Sequence, residues 1–346
     1  TANNLSSKTW RVISRDYSPI AVATLGPVTV IDGNTLDGVS ATTLWTLHNR
    51  ATEAKRPGGA IEDPLAVRLF GDVRYDYLKF GRPNQSHALR AAAFDAVTAD
   101  YLRAHPKASV VALAEGLQTS FWRLDAMGVL DQATWYSIDL PPVMALREQL
   151  LPHDDRIVGI AQSALDRSWM DRIDASDGVF ITAEGLFMYL DPVDVRALIA
   201  DCAARFPGGQ LMFDSIPSWL SRRTLAGWKL SKRYQAPPMP FGISVDDAVG
   251  LAGTIPGVRA AHDVPHIAGR GVFRLAAAAP FNQIGRLRNN RPSMTVLEFG
   301  PPAIKHRVDL DGVPETALMT LKVRASEARR PDRILDDPMA VSLVDS

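Results

Sequence analysis

The stretch Val110-Val111-Ala112-Leu113-Ala114-Glu115-Gly116-Leu117-Gln118-Thr119-Ser120 decides how this chain is read. Val110 to Leu113 is a short apolar run, as a strand buried on both faces requires. Ala114 to Gly116 is a turn of little side-chain bulk. Thr119-Ser120-Phe121-Trp122-Arg123-Leu124 reads as a helix start, with Thr119 a candidate N-cap. Strand, small-residue turn and helix form the first unit of a nucleotide-binding α/β fold, in which backbone approaches a ligand closely. A second apolar run, Thr134 to Ile138, ends at Asp139. A carboxylate at the tip of the second strand stands where such folds hold the hydroxyls of a ribose.

The glycines narrow the ligand. A full Gly-x-Gly-x-x-Gly would suggest a dinucleotide. Here Ala114 and Thr119 occupy the first and third glycine positions, and only Gly116 remains. That is poor for a pyrophosphate and better for a nucleoside without phosphates, such as S-adenosylmethionine. Taken alone, the motif also fits an ordinary strand-turn-helix.

Working outward, strands and helices alternate. Candidate strands are 109–113, 134–138, 156–160, 178–183 and 210–214, with helices at about 119–128, 142–151, 167–174 and 192–206 between them. Alternation of this kind argues a mostly parallel sheet covered on both faces. Before it come three helical patterns. Ser40 opens one that runs to Pro57, Asp63-Pro64 opens the next, and the third covers about Ser86 to Ala104. After Asp214 the alternation breaks. Residues 215–243 carry Trp219, Trp228, Tyr234, Phe241 and Pro237-Pro238-Met239-Pro240, an aromatic insertion suited to a lid over a substrate pocket or to packing on the sheet edge. Val258 to Val264 and Gly271 to Leu275 read as two final strands, close enough for a hairpin.

Composition bounds the function. Of 346 residues, 46% are apolar and 22% charged, ordinary for a globular protein. Lys+Arg and Asp+Glu both number 38, so no global field recruits nucleic acid or an anionic membrane. The single cysteine, Cys202, excludes an intrachain disulfide and sits in a helical pattern as a small apolar group. No zinc spacing, membrane-length apolar run or secretory leader pattern occurs, so the expected location is cytoplasmic and the expected partner a small molecule.

The end of the sequence repeats the beginning. Leu310-Asp311-Gly312-Val313 matches Leu36-Asp37-Gly38-Val39, and the match continues without gaps. Arg324-Ala325, Glu327-Ala328, Arg330-Pro331, Asp337-Pro338 and Ala340-Val341 pair with Arg50-Ala51, Glu53-Ala54, Arg56-Pro57, Asp63-Pro64 and Ala66-Val67. The segment is a partial second copy of the opening helices, and it raises the question of exchange between chains, with the oligomeric state open.

Four pieces now resemble one family: Val111 to Leu124 (VALAEGLQTSFWRL), Ser137 to Leu151 (SIDLPPVMALREQLL), Ala183 to Leu190 (AEGLFMYL) and Leu211 to Pro217 (LMFDSIP). In order and spacing they resemble the leucine carboxyl methyltransferase family of class I S-adenosylmethionine-dependent methyltransferases, which includes tetracenomycin-type polyketide O-methyltransferases. The resemblance covers about Leu36 to Leu275. It implies a doubly wound, seven-stranded, mostly parallel α/β sheet, Rossmann-like, with N-terminal helices and a helical lid insertion. It divides the chain into an N-terminal extension (1–35), the methyltransferase domain (36–276), a linker (277–309) and the truncated repeat (310–346).

The resemblance also implies roles. Arg90 would grip the methionine carboxylate of the cofactor, and Ala114, Glu115 and Gly116 would face the methionine portion. Asp139 would bind the ribose, and Ser163, Ala164 and Leu165 would lie at the adenine. Glu184 would face the methionine amino group, and Tyr189 would stand near the mouth of the active site, positioning the acceptor. The implied activity is O-methylation of a carboxylate or acidic hydroxyl on a polyketide-like small molecule, without a metal. Where the family usually carries Gly-x-Gly-x-Asp-Thr-Arg, this chain has Ala114, Gln118 and Ser120 for the first Gly, the Asp and the Arg. Ala114 is tolerable there if its φ stays negative. Two alternatives stand beside this reading: a catalytically degenerate member that binds a ligand or partner, and a nicotinamide-dependent oxidoreductase on a similar sheet.

Overall fold

A computed structural model describes residues 30–277, 284–301, 315–328, 333–335 and 337–345. The β-rich stretch Ile20 to Ile31, readable from its sequence as a short hairpin or an extended arm, lies almost wholly outside the described residues; its last residue belongs to a short strand, Ile31–Asp32, paired in parallel with Val73–Arg74. Among the described residues, 30–301 belong to one compact unit and 315–345 to a second.

The first unit is built on seven strands: β1 (Ser109–Leu113), β2 (Thr134–Asp139), β3 (Ile157–Ala161), β4 (Val179–Ala183), β5 (Gln210–Ser215), β6 (Val258–Asp263) and β7 (Ser293–Phe299). They lie in the order β3-β2-β1-β4-β5-β7-β6. All neighbours pair in parallel except β7, which is antiparallel to both β5 and β6. The sheet is covered on both faces, and its apolar runs divide with period two. Val111, Leu113, Ile181 and Phe213 pack on one side with Val195, Leu198, Ile199 and Cys202 of a helix over Pro192–Arg205. Val110, Ala112, Phe180 and Met212 pack on the other with Phe94, Val97, Phe121 and Leu124.

The hairpin expected from 258–264 and 271–275 does not form. The second stretch gives a short helix, Val272–Ala276, and the partner of β6 is β7, drawn from the segment read as linker. The physical reason is visible in β7 itself. Ser293 to Leu297 and Phe299 are buried, so a strand inserted between two others needs an apolar face on each side. The sheet therefore continues past residue 276, where the domain was expected to end.

Three helices precede the sheet: α1 (Thr42–Ala54), α2 (Pro64–Asp72) and α3 (Ser86–Ala104). The Asp63 side chain caps α2 by accepting from the Ala66 amide at 2.9 Å, with Pro64 in the first turn. Leu44, Leu47, Ala51 and Leu69 of α1 and α2 form a third apolar layer with Leu117 and with Val143, Leu146 and Leu150 of α5 (Pro141–Leu150). Helix α4 (Ser120–Ala126) follows the turn after β1.

In the second unit, helices Glu315–Ala328 and Pro338–Asp345 fall where the repeat places counterparts of α1 and α2. The tertiary contacts repeat as well as the residues. Asp337 caps Ala340 at 2.9 Å as Asp63 caps Ala66. Glu327 accepts from the Ile334 amide at 2.9 Å as Glu53 does from that of Ala60 at 2.8 Å. Arg324 bonds Asp337 as Arg50 bonds Asp63.

Candidate active site

The turn after β1 is held from three directions. Ala114 has φ +49° and Gly116 φ +58°. The condition under which Ala114 was tolerable, a negative φ, is not met: the turn drives it into the left-handed region, where an alanine Cβ crowds the following carbonyl. Gly116 is required for a local reason. A Cβ there would lie 2.4 Å from the Thr43 Oγ1 of α1. That oxygen accepts from the Leu117 amide at 2.7 Å, so α1 is latched directly onto the turn. From the opposite side Arg147 of α5 pairs with Glu115 at 2.8 Å and donates to the carbonyls of Gly116 (2.6 Å) and Gln118 (3.2 Å).

The third hold is a buried charge network. Arg50 donates to the Leu117 carbonyl at 2.8 Å and reaches Asp63 at 3.4 Å. Thr119 occupies the N-cap of α4, but its hydroxyl donates to Asp63 at 2.6 Å instead of receiving a helix amide. Arg123 bonds Asp63 at 2.8 Å and Asp95 of α3 at 2.6 Å. The opening helices thus carry the carboxylate that fixes the turn.

Above the turn lies a cavity of about 570 Å³ at the carboxyl edge of the sheet. All ten residues singled out from the sequence line it: Arg90, Ala114, Glu115, Gly116, Asp139, Ser163, Ala164, Leu165, Glu184 and Tyr189. Asp139, at the end of β2, accepts from the Gly116 and Leu140 amides, one on each oxygen, both at 2.7 Å. Those bonds aim the carboxylate. Burial nevertheless holds its pKa above the ordinary value, and the two amides only partly offset that.

Arg90 stands between two carboxylates. Its Nε donates to Glu184 at 3.0 Å and its Nη1 to Asp214 at 2.9 Å. Burial alone would lower its pKa, but Asp214 and then Glu184 outweigh that and raise it. Glu184 moves upward too. Burial comes first, Arg90 opposes it, and nearby Asp214 adds to it, because two carboxylates share one guanidinium. Gln118 donates to Glu184 at 2.6 Å. Asp214 also accepts from the Gly185 amide at 2.5 Å. Burial pushes the Tyr189 hydroxyl up to about 12, with a Thr42 hydrogen bond opposing.

Several residues of the cavity wall and of the turn's supports carried no assignment from the sequence. Asp214 is the last residue but one of β5, inside the quoted LMFDSIP piece and near the strand-tip position that singled out Asp139. His87 stands one turn before Arg90 on α3, and spacing of three on a helix was the available signal. Arg147 and Arg123 read as ordinary helix arginines, and nothing local marks them. The insertion after β5 begins with α7 (Ser218–Leu225) and gives Leu220, Trp228 and Met239 to the cavity wall, so it closes the pocket.

The cavity has two chemically distinct halves. Over β1 to β3 it offers Asp139, Ser163, Ala164 and Leu165. Over β4, β5 and β7 it sets apolar Leu186, Met188, Ile216 and Met294 beside Ser215, Arg291 and Ser293. Between them sits one arginine with two carboxylates, a donor set that fits an amino-acid zwitterion. A nucleoside bearing such an end, S-adenosylmethionine, would be held at its sugar by Asp139 and at its amino acid by Arg90 and Glu184.

Comparison with known proteins gives the same class. The family model for leucine carboxyl methyltransferase matches residues 43–203. The tetracenomycin polyketide synthesis O-methyltransferase TcmP of Streptomyces glaucescens is 30% identical over 227 residues, 65% of this chain and 82% of that protein. The S-adenosyl-L-methionine-dependent methyltransferase dpfgK of Gibberella zeae is 24% identical over 283 residues, 73% of this chain and 94% of that protein. Among solved structures, a candidate methyltransferase from Thermobifida fusca YX aligns with a TM-score of 0.49 at 15% identity, covering 75% of this chain and 94% of that one. The chain belongs to the leucine carboxyl methyltransferase family, and it is a methyltransferase whose cofactor is S-adenosyl-L-methionine.

Proposed function

We propose that this chain methylates an oxygen, a carboxylate or acidic hydroxyl, on an apolar small molecule of the polyketide or another secondary-metabolite class. The carrying observation is the composition of the acceptor half of the cavity. Its apolar wall includes Trp45, Met188, Ile216, Leu220, Trp228 and Met239, and the carboxylates nearest to it are both engaged by Arg90. The role that TcmP's name gives it in polyketide synthesis supports the same class of acceptor.

When bound, the cofactor supplies a methyl group already activated on a sulfonium. The protein's work is then alignment and exclusion of water. Asp139 orients the sugar, Arg90 and Glu184 the amino-acid end, and the insertion covers the acceptor. A carboxylate is ionised at neutral pH and needs no base, whereas a phenol with a pKa of about 10 would want one. Glu184 and Asp214 are committed to Arg90, and the raised Tyr189 hydroxyl is not poised to take a proton. The acid is thus the preferred acceptor.

The test is transfer of labelled methyl to a panel of aromatic acids and phenols, followed by mild alkali. A methyl ester releases methanol and an aryl methyl ether does not. Label that enters nitrogen or carbon overturns the reading. Binding of S-adenosylhomocysteine with no turnover on any acceptor points to the degenerate alternative.

A further inference from the structure

His87 lines the cavity one turn before Arg90 on α3, and its hydrogen-bonding state is fixed by a relay from α1. The Asn49 Oδ1 accepts from the Asn84 amide at 3.1 Å. That bond assigns the amide orientation, so Asn49 Nδ2 is the donor facing His87 Nδ1 at 2.6 Å. Nδ1 is therefore an acceptor, and the ring proton sits on Nε2. Trp45 packs edge-on against the imidazole, with ring centroids 4.9 Å apart, and holds its plane. Nε2–H is the polar group that His87 has left for a ligand, set in the apolar acceptor half.

We infer that His87 is the acceptor-anchoring residue, a neutral imidazole whose Nε2–H donates to an oxygen of the acceptor's carboxylate. The inference rests on the proposed function above and narrows it to an acceptor that arrives ionised. A ring locked in this tautomer has no lone pair on Nε2 and cannot serve as the base a phenol would need. The charged groups acting on it, Arg90 from its own helix and Arg50 from α1, are both cationic. Burial comes first and the two arginines add to it in holding its pKa well below the usual histidine value, so the imidazole stays uncharged across the working pH range. Orientation, not charge, is what it offers the substrate.

The experiment titrates 2-naphthoate, and 2-naphthol as its hydroxyl counterpart, into protein saturated with S-adenosylhomocysteine. Wild-type protein is expected to bind naphthoate with an affinity that is flat from about pH 6 to about pH 9. His87→Phe should weaken naphthoate by about tenfold or more, the loss of a charge-assisted bond. His87→Gln, which keeps an N–H donor, should stay within about threefold of wild type. Both should bind S-adenosylhomocysteine as wild type does, which also reports folding. Asn49→Asp keeps an acceptor for the Asn84 amide but can only accept from Nδ1, which must then carry a proton. It favours imidazolium, so naphthoate should then bind more tightly as pH falls. Naphthoate binding that ignores both His87 variants, or an Asn49→Asp profile as flat as wild type, overturns this inference alone. Tight naphthol binding without naphthoate binding overturns the carboxylate reading and the inference together.

Discussion

Arg123 donates to the Ser120 hydroxyl at 2.8 Å from one turn further along α4. Ser120 stands where the resemblance leads one to expect an arginine, and here the Arg123 guanidinium meets its hydroxyl. Gln118 touches the same guanidinium. It replaces the family's acid, lies 3.5 Å from Arg123 through its Oε1, and turns its amide nitrogen toward Glu184. Both departures from the motif therefore sit against one guanidinium, that of Arg123.

Removing that guanidinium should be costly. Arg123→Met leaves Asp95 without its arginine and Asp63 with Arg50, at the longer distance, as its cation, both carboxylates buried. Breaking a buried pair by deleting one partner costs about 3–5 kcal/mol, and the retained Arg50 places this case near about 3 kcal/mol. Urea denaturation of the variant should show a large drop in midpoint, and an unchanged midpoint would mean that the network contributes nothing net.

Ala114 is the one non-glycine residue with positive φ among the described residues. A left-handed alanine costs about 1–2 kcal/mol, partly offset by the chain entropy that glycine would lose on folding. Ala114→Gly should therefore stabilise the protein by about 0.5–1 kcal/mol. Thermal denaturation should show a rise of about 2 °C, given the size of the unit. A lower melting temperature would show that the alanine methyl makes contacts worth more than its strain.

Two residues later the opposite substitution should fail. Gly116→Ala adds a Cβ in the left-handed region and drives it to 2.4 Å from Thr43 Oγ1. The predicted cost exceeds about 2 kcal/mol, strain and steric terms together. Thr43→Ala alone should cost about 1 kcal/mol through the lost Leu117 bond. In the double variant the Oγ1 clash is gone and only the 3.1 Å approach to the residue 43 Cβ remains, so the combined cost should fall short of the sum by about 1 kcal/mol. Simple additivity in a denaturation cycle would refute the latch between α1 and the turn.

What the chain discloses before folding follows from the range of each interaction. Strands β1 to β5 were legible because a buried parallel strand is an apolar run, and two of the helices between them begin at Pro141-Pro142 and Asp191-Pro192. Nine of the ten wall residues were legible because they follow strand tips or lie on the family's pieces; Arg90, on α3, came from the resemblance alone. β7 was not. Its pairing with β5 joins Ser215 to Ser293, and its flanks of alanine, arginine and asparagine read as linker. The Arg147 and Arg123 holds escaped notice for the same reason: a helix arginine shows its partner only when a distant turn is brought against it. The positive φ of Ala114 is imposed by packing on both sides of the turn, which no local preference of alanine reveals.

The pH dependence of cofactor binding should identify the group that meets the cofactor's ammonium. Glu184 must be ionised to do so, and burial raises its pKa above the ordinary glutamate value of about 4.5. Affinity for S-adenosylhomocysteine should thus be full above that raised pKa and fall as pH drops through it, by up to about tenfold per pH unit. Asp139 is raised as well and would add an acid limb of its own through the ribose. Glu184→Gln separates the two. Calorimetric titration of this variant from about pH 8 down to about pH 5 should give binding about tenfold weaker at neutral pH, because an attractive charge is gone. Most of the acid limb should vanish. An undiminished limb in the variant would assign the titration to Asp139 and remove Glu184 from the ammonium's side of the site.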